Sequence, residues 1–377
     1  MTTVLPEFTD EAINSDIELS YIKKFNTQLQ PLLLLSPPFI NNSYGVGIKL
    51  NLSTDNNVNC YGDNIMLSAA SHFNYYFNTL YNKIGTFYNF GSSGAVDGTM
   101  DAIIINKYND ILATTVAANL PTILICGVND IVKTNDLYIF PNGYSYGQAC
   151  MGCLLPFLLP IDKIVYCRNM TTKTGVWTVS TTDNVGFNTL ALNNYLEHTL
   201  VGVRYIAVSW LDFQDLATNA TLFTVYVDGV IAAIVDKNIV KFGTYLPLGV
   251  SCAIVIDTYT TGNRVVKIVH GKSTLGVYQY IAGWTAADIS NSTNKKKLLV
   301  CYNNKTPASE TVTDYNRKRL DLTEMMRCAV NSLYRVKLPI GLLLLPDATS
   351  ATISGTNTST FQYKSWAEFI MKNGVKI

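Results

Sequence analysis

The stretch VNCYGDNIML, residues 58–67, joins a short apolar strand to a helix through a tight turn. Val58–Tyr61 favours a strand, and Gly62-Asp63-Asn64 forms the turn. Ile65–Leu80 then predicts a helix, because its aromatic and aliphatic residues recur at helical spacing. Open α/β sheets bind ligands where strands end and helices begin, so this turn is the first candidate site.

Three further loops follow predicted strands in the same way. Asn89–Gly94 follows one strand, and Gly127–Asp130 follows the β-branched strand Thr122–Cys126. The last loop lies between the leucine run Leu342–Leu345 and a closing helix, Phe361–Lys372. Strands that alternate with helices indicate βαβ units and a parallel sheet.

Residues 163–286 have a different pattern, in which short β-branched runs are separated by turns and no helix is indicated. Asp228-Gly229 between two such runs predicts a type I′ hairpin. We therefore expect an antiparallel β-sandwich of jelly-roll type. The predicted organisation is an N-terminal arm (1–45), an α/β domain in two parts (46–162 and 287–377) and the inserted sandwich (163–286).

The charge balance excludes several classes of protein. The 377 residues include 28 Lys+Arg and 27 Asp+Glu, a net charge of +1, and 48% of the residues are hydrophobic. Disordered and coiled-coil proteins carry more charge than this. Without a basic cluster, nucleic acid is not an expected partner. The longest basic run, Lys295–Lys297, is interpreted as a solvated loop.

The sequence predicts a soluble chain without membrane insertion. Met1–Asp10 carries acids and Pro6 where a secretory signal needs basic residues and an apolar core. The apolar runs Leu32–Leu35 and Cys153–Ile161 are much shorter than the roughly 20 residues that cross a bilayer. We interpret both runs as buried core.

The eight cysteines predict neither a metal site nor another cofactor site. Cys150 and Cys153 form a lone CxxC pair. A zinc site needs a second pair, or histidines at ligand spacing, and the sequence has neither. Several other cysteines lie inside apolar runs, so we expect buried reduced thiols.

The first three strand-end motifs, in this order and spacing, resemble the SGNH (GDSL) hydrolase family. The resemblance covers roughly residues 46–160 and 298–377. It implies a three-layer α/β fold with a parallel sheet, interrupted here by the sandwich. In that family the first motif carries a serine nucleophile. The glycine of the second and the asparagine of the third donate hydrogen bonds to the oxyanion, and a late Asp-x-x-His supplies the acid and the base.

This chain departs from that pattern at the reacting positions. Asn64 occupies the serine position, and a carboxamide cannot be activated as a hydroxyl can. An ungapped alignment of the closing helix places Ser354 and Asn357 at the aspartate and histidine positions. Gly94 and Asn129 match the oxyanion donors, although such residues also serve turns and helix caps. We therefore predict that no catalytic residue is intact.

The histidines do not replace the missing base. None of the three lies in the last loop. His72 follows Asn64 by eight residues on the predicted helix, which puts it about 12 Å along the axis. His198 and His270 belong to the β block.

The resemblance also covers the insertion, because SGNH proteins of phages and polysaccharide-processing bacteria often carry a jelly-roll module. Such modules bind sugars or pack against neighbouring subunits. Aromatic faces with nearby polar groups suit sugar rings, although at strand spacing most aromatics are core. The candidate glycan contacts are Tyr205, Trp210, Tyr226, Tyr278, Tyr280 and Trp284.

Three functions stay open. The first is a non-catalytic virion protein of a phage or other virus, such as a capsid decoration, fibre or tail component. It would contact other virion subunits or its own copies, and a host surface glycan. The second is an active carbohydrate O-acetylesterase with a non-standard nucleophile such as Ser92 or Ser93. The third is a lectin-like receptor-binding protein that acts through the sandwich.

Overall fold

A computed structural model describes most of the chain after the predicted arm. The described residues are 45–52, 57–62, 64–91, 120–127, 143–180, 186–212, 221–236, 250–271, 276–290, 296–302, 312–345 and 360–376. Apart from residue 45, the arm lies outside them, so the arm stays a prediction. The fold is built from one mainly parallel sheet, one large antiparallel sheet and the helices that pack on them.

The α/β part is a doubly wound parallel sheet. Its parallel strands are β3 (Val58–Gly62), β4 (Phe87–Gly91), β5 (Thr122–Cys126), β15 (Leu298–Tyr302) and β16 (Ile340–Leu344), and β1 (Gly45–Gly47) is antiparallel at one edge. The order is β1-β16-β15-β5-β3-β4. In chain order the parallel strands therefore run 2-1-3-4-5, a common doubly wound arrangement. The predicted parallel sheet is confirmed.

Helices cover both faces of this sheet. One face packs on α1 (Asn64–Tyr75) and on the C-terminal helix α5 (Thr360–Asn373). The other face packs on α2 (Gly143–Leu158) and α4 (Val312–Arg335), and the short helix α3 (Ala286–Ser290) lies between these two in the chain. β17 (Val375–Lys376) follows the last helix and pairs in parallel with β2 (Leu50–Asn51). β3, β5 and β15 are buried throughout, as expected for strands covered on both faces.

The β block forms one hydrogen-bonded antiparallel sheet among the described residues. Its strands are β6 (Ile164–Tyr166), β7 (Thr172–Thr174), β8 (Thr178–Val179), β9 (Phe187–Thr189), β10 (Tyr195–Asp212), β11 (Thr221–Val227), β12 (Val230–Asp236), β13 (Val250–His270) and β14 (Gly276–Trp284). The main order is β12-β11-β13-β10-β14-β9-β8, with β6 beside β14 and β7 beside β10. The predicted antiparallel character is confirmed.

This sheet curls over its own inner face. Phe223 on β11 contacts Tyr278 on β14 with ring centroids 5.2 Å apart, and Trp210 lies 5.1 Å from Phe223. β11 and β14 are three strand positions apart, or roughly 14 Å in a flat sheet. The rings therefore meet because the long strands β10 and β13 bend. The predicted sandwich is thus one curled sheet with a closed core, since these two strands contribute to both of its halves.

The Asp228-Gly229 hairpin is confirmed. Both residues have positive φ, 53° and 80°, as a type I′ turn requires. The turn joins β11 and β12 in direct antiparallel pairing. Because no bulky side chain adopts these angles easily, the dipeptide fixes the register of the hairpin.

Helix α2 connects the two sheets. A Cβ on Gly152 would lie 2.5 Å from the Ser251 carbonyl oxygen on β13, so the glycine permits close approach of helix and strand. Pro156 has no N–H for the carbonyl of Gly152, and the Tyr280 hydroxyl donates to that carbonyl instead, at 3.3 Å. Residues of both sheets belong to one buried cluster. The predicted domain boundaries stay a prediction.

The predicted solvated loop at the lysine run is wrong for Lys296. Its side chain is 4% exposed, and its amine donates to the carbonyls of Pro156 (3.3 Å) and Leu159 (2.9 Å). These carbonyls belong to the C-terminal end of α2 and the residues after it, where helices leave acceptors unsatisfied. Within the described part of the chain, no helix is both long and apolar enough to span a bilayer.

Candidate functional site

The parallel sheet has its topological switch point between β3 and β5. Gly62 ends β3 beside Ile125, and a Cβ on Gly62 would lie 2.4 Å from the Ile125 carbonyl oxygen. Asn64, which the sequence analysis assigned to the turn, is the first residue of α1 just after this strand end. Gly127 follows the neighbouring strand end. In doubly wound folds a crevice at this point binds ligands.

The other predicted parts of this crevice lie outside the described residues. They are Ser92, Ser93, Gly94, Asn129, Ser354 and Asn357. The degenerate triad and the oxyanion remnants therefore remain predictions.

The histidines lie where the sequence places them. His72 is a half-exposed residue of α1. His198 and His270 lie on β10 and β13 of the antiparallel sheet, and burial lowers the pKa of His198. His270 is buried, with its Nδ1 2.8 Å from the Tyr278 hydroxyl. The structure thus gives His270 a place in the core of the curled sheet.

Five of the six aromatic residues predicted as glycan contacts are buried core. They are Tyr205, Trp210, Tyr278, Tyr280 and Trp284. The Trp284 indole N–H donates to the Val336 carbonyl at 2.9 Å, and the Tyr205 ring packs on Trp284. None of the five offers an exposed ring face, so the prediction has to be corrected for them. Their spacing indicated strands but not which face of each strand is outside.

Tyr226 is different, because it lines an open groove on the outer face of the antiparallel sheet. The groove has a volume of about 470 Å³. Its lining residues are Asn193, Tyr195, Glu197, Tyr226, Gly229, Val265, Lys267 and Val269. They alternate along the strands with buried residues of the inner face, such as Leu196 and Ile268. This groove is the candidate site that the described residues define.

Three strands place the polar groups of the groove side by side. Glu197 on β10 is directly opposite Lys267 on β13, and Lys267 is directly opposite Tyr226 on β11. Directly opposed side chains have Cβ atoms about 5 Å apart. The floor of the groove therefore has a carboxylate, an ammonium group and a phenol in one row.

A cation–π contact fixes the lysine. The Lys267 ammonium lies 3.8 Å from the centroid of the Tyr195 ring. Such a contact holds a flexible amine against one aromatic face. Glu197 and Lys267 are the two charged residues of the lining, so the groove has no net charge.

The hairpin tip is anchored at one end of the groove. Asp228 accepts hydrogen bonds from the Val265 N–H at 2.9 Å and from the Arg264 guanidinium at 2.8 Å. Burial opposes ionisation of this carboxyl, but the hydrogen bonds outweigh it and lower the pKa of Asp228. The anchor holds Gly229 in place beside Val265.

Most of the groove could not be predicted from the sequence, which indicated Tyr226 but not Tyr195, Glu197 or Lys267. The runs YLEHT (195–199) and VVKIVH (265–270) do not alternate strictly between polar and apolar residues, so they give only a weak signal of an outer face. No local pattern shows which strands become neighbours.

The thiols agree with the sequence prediction. All eight cysteines are reduced, and all are buried except Cys328, which is half-buried. Burial raises the pKa of the Cys328 thiol to about 11. Within the described stretches, no group of three or more His, Cys, Asp or Glu side chains could hold a metal ion.

Comparisons with known proteins assign no family. The sequence matches no protein-family model and no curated protein. Similar solved structures include a CBM36-1 domain of a multidomain xylanase from the hindgut metagenome of Trinervitermes trinervoides (15% identity, 31% of this chain and 92% of that chain, TM-score 0.24).

A family two carbohydrate esterase from Cellvibrio japonicus is 10% identical over 32% of this chain and 33% of that chain, with a TM-score of 0.23. CsCBM6-3 from Clostridium stercorarium, solved with cellobiose, is 8% identical over 32% of this chain and 92% of that chain, with a TM-score of 0.24. At these TM-scores the likeness supports no assignment of fold or function.

Proposed function

We propose that this chain is a non-catalytic, SGNH-like adsorption protein that binds a glycan through the groove on its antiparallel sheet. The observation that carries the proposal is the arrangement of Tyr195, Tyr226, Glu197 and Lys267 on one open face. The groove volume of about 470 Å³ falls within the range of small-ligand sites.

The groove chemistry suits a sugar. One face of a sugar ring is apolar and packs on an aromatic ring, which Tyr226 supplies, while Tyr195 carries the Lys267 ammonium on one of its two faces and offers the other. Sugar hydroxyls both donate and accept hydrogen bonds. Glu197 accepts, Lys267 donates, and the tyrosine hydroxyls do both, so the groove offers partners for either role.

The non-catalytic part of the proposal rests on the sequence. Asn64 replaces the serine of the family that the α/β part resembles, and the last loop has no histidine. The doubly wound strand order and the helix that begins at Asn64 are compatible with an SGNH-like scaffold. The proposed role in a virion rests on that resemblance and on the low-charge composition.

Binding to a glycan array tests the proposal. We expect the wild-type chain to bind at least one glycan, and Tyr226→Ala and Tyr195→Ala to weaken that binding roughly three- to tenfold each. Tyr75→Ala is the matched control, because Tyr75 is an exposed tyrosine of α1 far along the chain from the groove. If the array shows no binding, or if both groove variants bind normally, the proposal is wrong.

The virion role adds a second expectation, which is assembly with copies of the chain or with other subunits. Light scattering over increasing protein concentration measures this. A homo-oligomer is the expected result, and a monomer at every concentration would contradict self-assembly.

A carbohydrate O-acetylesterase is the second candidate, favoured by the switch point at Gly62 and Ile125. It requires a non-standard nucleophile such as Ser92 or Ser93. Hydrolysis of p-nitrophenyl acetate that is lost in Gly94→Val or Asn129→Ala would support it. We expect no turnover above background.

A further inference from the structure

Strand β13 carries a four-residue bulge beside the end of the groove. Val203 on β10 pairs with Gly262, and Tyr205 pairs with Asp257. Between these pairs β13 has four residues, Thr258–Thr261, where β10 has only Arg204. Bulges of this kind redirect side chains and often lie next to functional sites.

Tyr259 is the exposed aromatic residue of this bulge. Its side chain is 62% exposed, and its φ is +64°. A bulky residue in this left-handed region is strained, and such strain persists only where the surrounding structure enforces it. The bulge therefore holds an aromatic ring in solvent at a cost in stability.

Arg204 holds one side of the bulge. Its guanidinium donates two hydrogen bonds of 2.9 Å to Asp257, and this pairing raises the pKa of the arginine. The Asp257 carboxylate also accepts from the Tyr259 N–H at 2.7 Å. Thr258 donates its hydroxyl to the Arg204 carbonyl at 2.8 Å. The conformation of Tyr259 is thus fixed by side chains as well as by the strand.

Arg264 joins the other side of the bulge to the groove. Its guanidinium donates to the carbonyl and the hydroxyl oxygen of Thr260, both at 2.7 Å. The same guanidinium donates to Asp228, which adjoins the groove residue Gly229. Arg264 also precedes the groove residue Val265. One arginine therefore fixes the bulge and the end of the groove together.

We propose that Tyr259 is a further aromatic contact for the ligand, and that the ligand is a glycan chain long enough to extend from the groove to this ring. The inference rests on the proposed glycan-binding function. Three observations carry it: the strained and exposed aromatic ring, the two arginines that hold it, and the direct link from Arg264 to the groove. On this proposal a disaccharide contacts only the groove, whereas a hexasaccharide also packs on Tyr259.

The experiment compares disaccharides with hexasaccharides of the cello-, xylo- and malto- series, by calorimetric titration of the full chain. For the wild type we expect the hexasaccharide of one series to bind more tightly than its disaccharide. Tyr259→Gly and Tyr259→Ala should weaken hexasaccharide binding roughly three- to tenfold and leave disaccharide binding nearly unchanged. Tyr334→Ala, at an exposed tyrosine of α4, should change neither.

Thermal unfolding of Tyr259→Gly separates a binding role from a structural one. Glycine adopts positive φ without strain, so the melting temperature of Tyr259→Gly should equal or exceed that of Tyr259→Ala. A large loss of stability in Tyr259→Gly with unchanged binding would mean that the ring is structural, and would overturn the inference.

The outcomes also distinguish this inference from the proposed function. If Tyr226→Ala weakens binding and both Tyr259 variants bind the hexasaccharide normally, the groove binds glycans but the inference about Tyr259 is wrong. If the wild type binds none of these series and no glycan of the array, both the function and the inference fail.

Discussion

At the scale of single residues, Lys296 is the most deeply buried Lys, Arg, Asp or Glu residue of the part of the chain that the structure describes. Burial lowers its pKa from 10.5 to about 8, and the carboxylate of Asp162 only partly opposes this. Its amine nevertheless satisfies two carbonyls, at Pro156 and Leu159. These two hydrogen bonds offset part of the cost of burying the amine.

The pKa of Lys296 predicts a pH-dependent stability. The unfolded chain binds its proton up to about pH 10.5 and the folded chain only to about pH 8, so raising the pH between these values favours folding. Over this range the free energy of unfolding should rise by roughly 3 kcal/mol. We expect the free energy of unfolding of the wild type, relative to Lys296→Met, to rise from pH 8 to pH 10.5. Urea unfolding at several pH values measures it, and parallel profiles of the two proteins would contradict the prediction.

Residue-level inference from the sequence succeeded for the thiols, and for the aromatics it anticipated that most are core but not which ring is exposed. The cysteines lie in apolar runs, and a small apolar side chain there is buried on either face of a strand. A tryptophan such as Trp284 or Trp210 is equally compatible with the core and with an exposed platform. Only the pairing of distant strands decides between these, and no local pattern encodes that pairing.

At the scale of secondary structure, α2 shows how tertiary contacts override local propensity. The helix contains Gly152 and Pro156, both unfavourable in a helix interior. Gly152 gives close contact with β13, and Tyr280 satisfies the carbonyl that Pro156 leaves without its helical partner. From the sequence, Cys153–Ile161 is predicted to be buried but not helical, because glycine and proline have low helix propensity.

The close contact of α2 with β13 predicts a large effect of a small substitution. In Gly152→Ala the new Cβ would meet the Ser251 carbonyl at 2.5 Å, so the helix must move. We expect a destabilisation of about 1–3 kcal/mol in denaturant unfolding. Gly262→Ala is the matched control, because its Cβ meets nothing closer than 3.7 Å. If both variants have the stability of the wild type, the packing of α2 on β13 is not as close as described.

The strand ends of the parallel sheet were the most predictable elements. Gly62, Gly91 and Gly127 each lie at or just after a strand end, as the sequence indicated, because glycine there marks a tight turn. The Asp228-Gly229 hairpin was predictable for the same local reason. Curling of the antiparallel sheet was not, since it depends on the 18-residue and 21-residue strands β10 and β13 acting together.

At the scale of the whole molecule, the two sheets present two different candidate sites. The parallel sheet has the switch point beside Asn64, whose carboxamide is not a nucleophile. The antiparallel sheet has an open groove with aromatic, acidic and basic side chains. Because one buried cluster extends from the α/β helices to the curled sheet, a ligand on the groove would bind to a well-supported surface.

Hydrogen exchange with and without the tightest-binding oligosaccharide most directly tests which of these surfaces binds the ligand. We expect slower exchange in peptides that cover residues 193–199, 226–229 and 265–269, and unchanged exchange in peptides 58–67 and 122–127. Slower exchange at the strand ends around Gly62 and Gly127, with none in the groove peptides, would contradict this expectation.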